Sequence, residues 1–132
     1  MHMNNLVSVI IPIFNREKTI QRALQSVVDQ TYRPLEIIIV DDCSYDSTYS
    51  QILSFDFKDV SLKYKRNDFK IWPGFSRNVG IEMSDGYYVA FLDSDDEWIL
   101  NNKIQAQVSF LDENNEYEVV NTDILSSNTN NT

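Results

Sequence analysis

Two apolar runs constrain the fold more than anything else in the sequence. Residues 6–13 are interrupted only by Ser8 and Pro12, and residues 35–40 carry Ile37, Ile38 and Ile39 at their heart. Both runs are too short for a core helix and rich in Val or Ile. Each therefore reads as a strand buried on both faces, as in a parallel sheet. Pro12 marks the end of the first or an edge position. Between the runs, residues 17–29 place Ile20, Ala23, Leu24, Val27 and Val28 at the i, i+3, i+4, i+7, i+8 spacing of a one-sided helix. Pro34 ends that helix, because proline disfavours helical backbone in the residue before it. Strand, helix, strand is one right-handed crossover unit. The expected fold class is α/β, a mostly parallel sheet flanked by helices.

A third apolar run, residues 88–92, has the bulk and β-propensity of a buried strand. It stops in four carboxylates among five residues, Asp93, Asp95, Asp96 and Glu97. So much negative charge at a strand end is unfavourable unless something positive sits there, and a hard divalent cation with oxygen ligands is the natural answer. Asp93 and Asp95, two apart on an extended chain, point the same way and can approach one ion. The plain alternative is a solvated acidic turn before a helix, where Asp is common as a cap.

The remaining elements follow in order. A helix is expected over residues 47–55, capped by Ser44, Asp46 or Ser47. Residues 60–65 alternate Val60, Leu62 and Tyr64 with Ser61, Lys63 and Lys65, a strand with one wet face or an edge guarded by lysines. Residues 67–74 form a loop in which Trp72 is either a buried anchor or a stacking surface. A helix over residues 74–83 turns Phe75, Val79 and either Ile81 or Met83 inward, and Ser84, Asp85 and Gly86 make the turn into the third run. Residues 101–113 read as an amphipathic helix with Ile104, Val108 and Leu111 on one face, and Val119 and Val120 with Asn121 begin a last strand.

At 132 residues the chain suits one domain. A net charge of −9 argues against nucleic-acid binding through a basic surface and favours a bound cation at the acidic cluster. A single cysteine, Cys43, cannot form an internal disulfide, which points to a reducing compartment. No apolar run is long enough to span a membrane. Residues 1–5 read as a tag remnant or disordered start, residues 6–122 as the folded part, and residues 123–132 as a polar, disordered tail.

The functional case rests on convergence. Phe14, Asn15 and Arg16, then Asp41 and Asp42, then Asp93, Ser94 and Asp95 each follow a predicted strand at its carboxyl end. In a parallel sheet those ends line one crevice. Phe14 can lie against a base, Asp42 can accept a hydrogen bond from a base N–H or a ribose hydroxyl, and a cation on Asp95 can bridge to diphosphate oxygens. With three glycines and neither a G-x-G-x-x-G nor a Walker motif, phosphate has to be held through metal.

Five segments in order carry a resemblance. They are Val7-Ser8-Val9-Ile10-Ile11-Pro12-Ile13-Phe14-Asn15, Ser26-Val27-Val28-Asp29-Gln30-Thr31-Tyr32, Glu36-Ile37-Ile38-Ile39-Val40-Asp41-Asp42-Cys43-Ser44, Ser76-Arg77-Asn78-Val79-Gly80 and Phe91-Leu92-Asp93-Ser94-Asp95-Asp96. Together they resemble the nucleotide-binding half of the GT-A fold family 2 glycosyltransferases, with a Rossmann-like sheet. The resemblance implies that Pro12, Phe14 and Asn15 border the nucleoside and that Asp42 reads the base with Asp41 beside it. Arg77 and Ser94 would help hold the nucleotide. Asp93 and Asp95 match the Asp-x-Asp metal motif, with Asp95 the direct ligand of Mg²⁺ or Mn²⁺. Where the family usually has Asp-Asp-Gly-Ser, this chain has Cys43 in place of the glycine.

The implied chemistry is inverting transfer of a sugar from a nucleotide sugar, by default a UDP-sugar, to a hydroxyl of an acceptor sugar or lipid-linked glycan. It would take place at the cytoplasmic face of a membrane, with peripheral association of the parent enzyme. The catalytic base and acceptor pocket are expected in a carboxyl-terminal half that this chain lacks, so poor transfer or none is expected of the chain alone. The competing expectation is a non-catalytic module that binds a nucleotide sugar or a partner. A receiver-like phosphotransfer domain fits less well, because the first strand ends in Phe14 and Asn15 where that design needs an acidic pair.

Overall fold

A computed structural model describes residues 5–120. The elements run β1 (Val7–Ile13), α1 (Ile20–Val28), β2 (Leu35–Asp41), α2 (Thr48–Leu53), β3 (Ser61–Arg66), α3 (Trp72–Met83), β4 (Tyr88–Phe91) and α4 (Lys103–Glu113). The four strands form one parallel sheet in the order β3-β2-β1-β4. The expected α/β class, a parallel sheet flanked by helices, is therefore found.

β1 and β2 occupy the centre, and every residue of both is buried. Their unbroken apolar character follows from having both faces covered. On one face Val7, Val9, Ile11 and Ile13 join Leu35, Ile37 and Ile39 beneath Ile20, Ala23, Leu24 and Val27 of α1, with Ile104 and Val108 of α4 in the same cluster. On the other face Ile10, Ile38 and Val40 pack with Val79 and Met83 of α3. Ser8 and Glu36, neighbours in register on that same face, satisfy each other, Ser8 Oγ donating to Glu36 Oε1 at 2.6 Å. Glu36 also accepts from Asp85 N at 2.9 Å and faces Lys63 Nζ at 3.3 Å.

Several expectations are corrected. β4, read as buried, lies at the sheet edge and alternates half-buried with exposed residues, because α3 covers β1 and β2 but leaves the Val89 and Phe91 side of β4 open. α3 begins two residues earlier than expected, with Pro73 in its first turn. Phe75 points outward at 66% exposed, and the small residues Ser76 and Gly80 face the sheet instead. A Cβ on Gly80 would sit 2.5 Å from Ile10 Cγ2, so close approach of α3 to β1 requires glycine there. Val119 and Val120 belong to no strand. The expected start at residues 1–4 and the tail at 123–132 lie outside the described residues, as does Asn121.

Candidate active site at the carboxyl edge of the sheet

The chain passes from β1 to β2 to β3 in one direction and then returns to place β4 on the other side of β1. The connections diverge between β1 and β4, and open α/β sheets leave a crevice at such a point. A cavity of about 510 Å³ lies there. It is lined by Pro12, Ile13, Phe14, Asn15 and Arg16 after β1, by Asp42 after β2, by Lys70, Trp72, Pro73, Ser76 and Arg77 around the start of α3, and by Asp93, Ser94 and Asp95 after β4. A larger groove of about 700 Å³ runs along α1 between Arg22 and Trp98, but it lies off the strand ends and collects none of the candidate residues.

The two loops nearest the centre are tied together. Asn15 adopts a left-handed backbone with φ 51°. Its N–H donates to Ser44 Oγ at 2.9 Å, and its Oδ1 accepts from Tyr45 N at 2.9 Å. Asparagine tolerates that conformation better than most residues, and here its side chain bonds at the same time. Phe14 meets the edge of the Tyr45 ring at 5.9 Å between centroids, which fixes the ring that faces the cavity.

Asp41 and Asp42 part company. Asp41 is fully buried: Oδ1 accepts from Ser44 N at 2.8 Å, and Oδ2 accepts from the Tyr64 hydroxyl at 2.6 Å with Arg66 at 3.5 Å. It supports the loop from behind and does not line the cavity. Burial, and then the bond to Asp41, push the Tyr64 hydroxyl well above its ordinary pKa. Asp42 does line the cavity, yet its carboxylate also holds the start of α3. Oδ1 accepts from Ile71 N at 2.7 Å and from Asn67 Nδ2 at 3.2 Å, and Oδ2 accepts from Trp72 N at 2.8 Å. A carboxylate at the amino end of a helix satisfies orphan donors and meets the positive end of the dipole. Here it comes from 30 residues away in sequence.

The Asp-x-Asp segment is a turn, with Asp96 N donating to Asp93 O at 3.0 Å, rather than the extended chain expected. Its two carboxylates accordingly meet different arginines. Arg77 donates to Asp93 Oδ1 at 2.8 Å, and Arg16 lies 3.9 Å from Asp95 Oδ2 while its Nε donates to Ser94 Oγ at 3.3 Å. Ser94 is buried, and its carbonyl accepts from Thr19 Oγ1 at 2.9 Å, anchoring the turn to the start of α1. Burial, and then the charges of Asp95 and Asp93, raise the Asp96 carboxyl above its usual range.

Among the described residues no three His, Cys, Asp or Glu side chains gather to hold a metal by themselves. The donor set nonetheless fits a hard divalent ion of the Mg²⁺ type. Asp93 and Asp95 offer two half-exposed carboxylates at the cavity mouth, and such ions bind through one or two carboxylates while substrate phosphates and water fill the other positions.

Of the residues expected at a site, the cavity brings together Pro12, Phe14, Asn15, Asp42, Arg77, Asp93, Ser94 and Asp95. It also contains Arg16, placed by the sequence at the crevice but given no role there, and Lys70, Trp72 and Ser76, which the sequence reading did not assign to the site. Arg16 was within reach of that reading, as one of eleven basic residues in an acidic chain and placed at a strand end.

The comparisons with known proteins agree with this geometry. The glycosyl transferase family 2 profile matches residues 8–132. The Escherichia coli UDP-Glc:alpha-D-GlcNAc-diphosphoundecaprenol beta-1,3-glucosyltransferase WfgD is 37% identical over 91% of this chain and 49% of its own length. The chain thus spans about half the length of that relative, and less of others. The structure of Staphylococcus aureus TarS 1-349 in complex with UDP-GlcNAc superposes with a TM-score of 0.76 at 33% identity, over 83% of this chain and 32% of that one. The Pyrobaculum calidifontis mannosyltransferase PcManGT, in complex with GDP-Man and Mn²⁺, shares the fold at a TM-score of 0.76 and 23% identity, over 83% of this chain and 33% of that one. A parallel sheet of this order, a cavity at its carboxyl edge and a family match over nearly the whole sequence lead to one conclusion: the chain belongs to glycosyl transferase family 2, with the GT-A fold.

Proposed function

We propose that this chain is the nucleotide-sugar-binding part of an enzyme that moves a sugar from a UDP-sugar to a hydroxyl of a lipid-linked glycan, with inversion at the anomeric carbon and with Mg²⁺ or Mn²⁺. The observation that carries the reading is the single cavity in which an aromatic ring, a buried carboxylate, two arginines and two half-exposed carboxylates converge from four segments. The substrate class is taken from the relatives, since WfgD is named for transfer from UDP-Glc to a diphosphoundecaprenol-linked sugar and TarS is seen with UDP-GlcNAc. A lipid-linked acceptor would place the enzyme against the inner face of a membrane. Among the described residues no helix is long and apolar enough to cross one.

In this reading Pro12 and Phe14 border the nucleoside, and Asn15 holds their loop to the loop after β2. Asp42 accepts a hydrogen bond from the base or ribose, with Asp41 bracing the segment behind it. Asp93 and Asp95 would hold the cation, Asp95 as its direct ligand. Bound there, a divalent ion would stabilise the departing diphosphate as a Lewis acid. Arg77 and Arg16 release Asp93 and Asp95 and turn to the phosphate oxygens, which guanidinium groups bind through paired charge-assisted hydrogen bonds. Ser94 fixes the turn between the two metal carboxylates. Deprotonating the acceptor hydroxyl needs a general base. We assign that role to none of the described carboxylates, because those at the cavity are already committed to the cation, to arginine or to the start of α3.

Calorimetric titration with UDP, with and without Mn²⁺, tests the reading on this chain and on Asp95→Ala. The expected result is binding that depends on metal and weakens at least ten-fold in Asp95→Ala. Equal binding by both proteins would remove Asp95 from the site, and failure of the folded wild-type chain to bind UDP would overturn the reading.

A further inference from the structure

The groove along α1 is larger than the cavity at the strand ends, and the transfer chemistry proposed above uses none of it. One wall is the exposed side of α1, where Arg22, Gln25 and Asp29 share a helix face. The other wall is the segment after the Asp-x-Asp turn, with Glu97, Trp98 and Asn101. Gln30, only 3% exposed, ties the two walls together from beneath. Its Nε2 donates to Leu100 O at 2.9 Å, and its Oε1 accepts from Ile104 N at 3.0 Å. Thr31 N donates to Asn101 O at 2.8 Å. Buried bonds therefore set the shape of the groove, and a ligand entering it has little left to order.

Trp98 is half-buried. It packs partly against the main core and presents the rest of its indole to the groove. The Lys103 ammonium lies 4.9 Å from the centre of its ring, but Lys103 does not line the groove and so braces the ring from outside it. Around the indole stand polar groups in planar pairs. Gln25 Nε2 donates to Asp29 Oδ1 at 2.8 Å, which orients both side chains. The Asn101 amide makes no side-chain hydrogen bond among the described residues.

A sugar ring matches this lining. Its C–H face lies on an aromatic ring, and its neighbouring hydroxyls each donate and accept, as the paired atoms of an amide or carboxylate require. Charge narrows the choice. Arg22 faces Glu97 Oε1 at 3.6 Å, and Asp29 stands on the same wall, so no positive excess is left for a phosphate or an acidic sugar. Position adds a further argument. Arg22 also donates to Asp95 O at 3.5 Å, so the groove begins beside the turn that carries the donor-cavity carboxylates. From Arg22 to Asp29 the helix advances about 10 Å, room for more than one sugar ring.

We infer that this groove binds neutral sugar rings, and that they are the units of the acceptor glycan behind the one whose hydroxyl reacts. The first part stands on the groove alone, and the second rests on the transferase reading above.

The test titrates this chain with neutral trisaccharides built from glucose, galactose or N-acetylglucosamine, and with a trisaccharide of galacturonic acid, followed by NMR. The Trp98 indole N–H resonance is assigned by its loss in Trp98→Phe. The expected result is that at least one neutral trisaccharide shifts the resonances of Trp98, Gln25 and Asn101, with and without saturating UDP and Mn²⁺, while the acidic one does not. Binding should weaken about ten-fold in Trp98→Ala. It should weaken about three- to five-fold in Asn101→Ala, whose exposed position leaves the core intact and keeps the test decisive if Trp98→Ala unfolds. Shifts confined to the donor cavity, equal binding of the acidic trisaccharide, or unchanged affinity in Asn101→Ala would overturn the groove. So would the absence of any shift in the folded chain, and UDP binding by the same sample would leave the nucleotide reading standing. Saccharide binding without UDP binding would keep the groove and overturn its assignment to an acceptor.

Discussion

Asp41 turns its carboxylate toward Ser44 and Tyr64, while the next side chain, Asp42, faces the cavity and the start of α3. Successive residues at a strand end point to opposite sides, so two identical side chains acquire different tasks from one geometric rule. Replacing Asp41 with Ala would strand the Ser44 N–H and the Tyr64 hydroxyl, and we expect a loss of about 2 kcal/mol in urea unfolding. The pH dependence carries a sign. Burial and the Asp41 bond raise the Tyr64 pKa in the folded state above its ordinary value of 10.0. The stability this contributes is fully present below pH 10.0 and is lost as the pH rises beyond it. In Asp41→Ala that alkaline loss should be smaller, because burial remains and the bond does not.

Helix α3 shows where local sequence informs and where it fails. Its existence was legible, but its start was not, because the acceptor that caps it, Asp42, lies in the loop after β2 and no nearby residue announces it. Its inward face was misread for a related reason. Periodicity favours large apolar residues such as Phe75 for the buried side, whereas a helix lying close to the sheet buries Ser76 and Gly80. β1 and β2 were legible because strands covered on both faces need no alternation. The same rule misled at β4, whose apolar run belongs to an edge. At the site, the strand-end residues, Arg16 among them, were readable from order alone, while Lys70 and Trp72 depended on partners that only the folded chain brings near. Gly80 yields the prediction at this scale. Gly80→Ala should cost about 1–3 kcal/mol through contact with Ile10. In an Ile10→Ala background most of that cost should vanish, as a double-mutant cycle in urea would show.

The molecule as a whole combines a strong negative charge with an edge strand whose exposed residues are apolar. Val89 is 38% and Phe91 47% exposed on β4, which pairs only with β1 among the described residues. Edge strands of this kind invite pairing between molecules, and like charge opposes it. Light scattering should therefore rise as the pH falls from 7 toward the sequence pI of about 4.4. A lysine at the edge, Val89→Lys, should reduce that scattering when both proteins are compared at equal distance from their own isoelectric points.

Asp42 holds the start of α3 with the same carboxylate that faces the cavity. In the language of linkage, if Asp42 binds the nucleotide as proposed, the attachment of α3 and the occupancy of the cavity are coupled equilibria, and coupling free energies are reciprocal. A ligand that draws on Asp42 Oδ2 alters how firmly the helix start is held, and a change at the helix start alters the ligand's affinity by the same factor. Lost affinity in an Asp42 variant would therefore measure the sum of a missing contact and a loosened helix, and the two can be separated only by a replacement that keeps the acceptor while removing the charge.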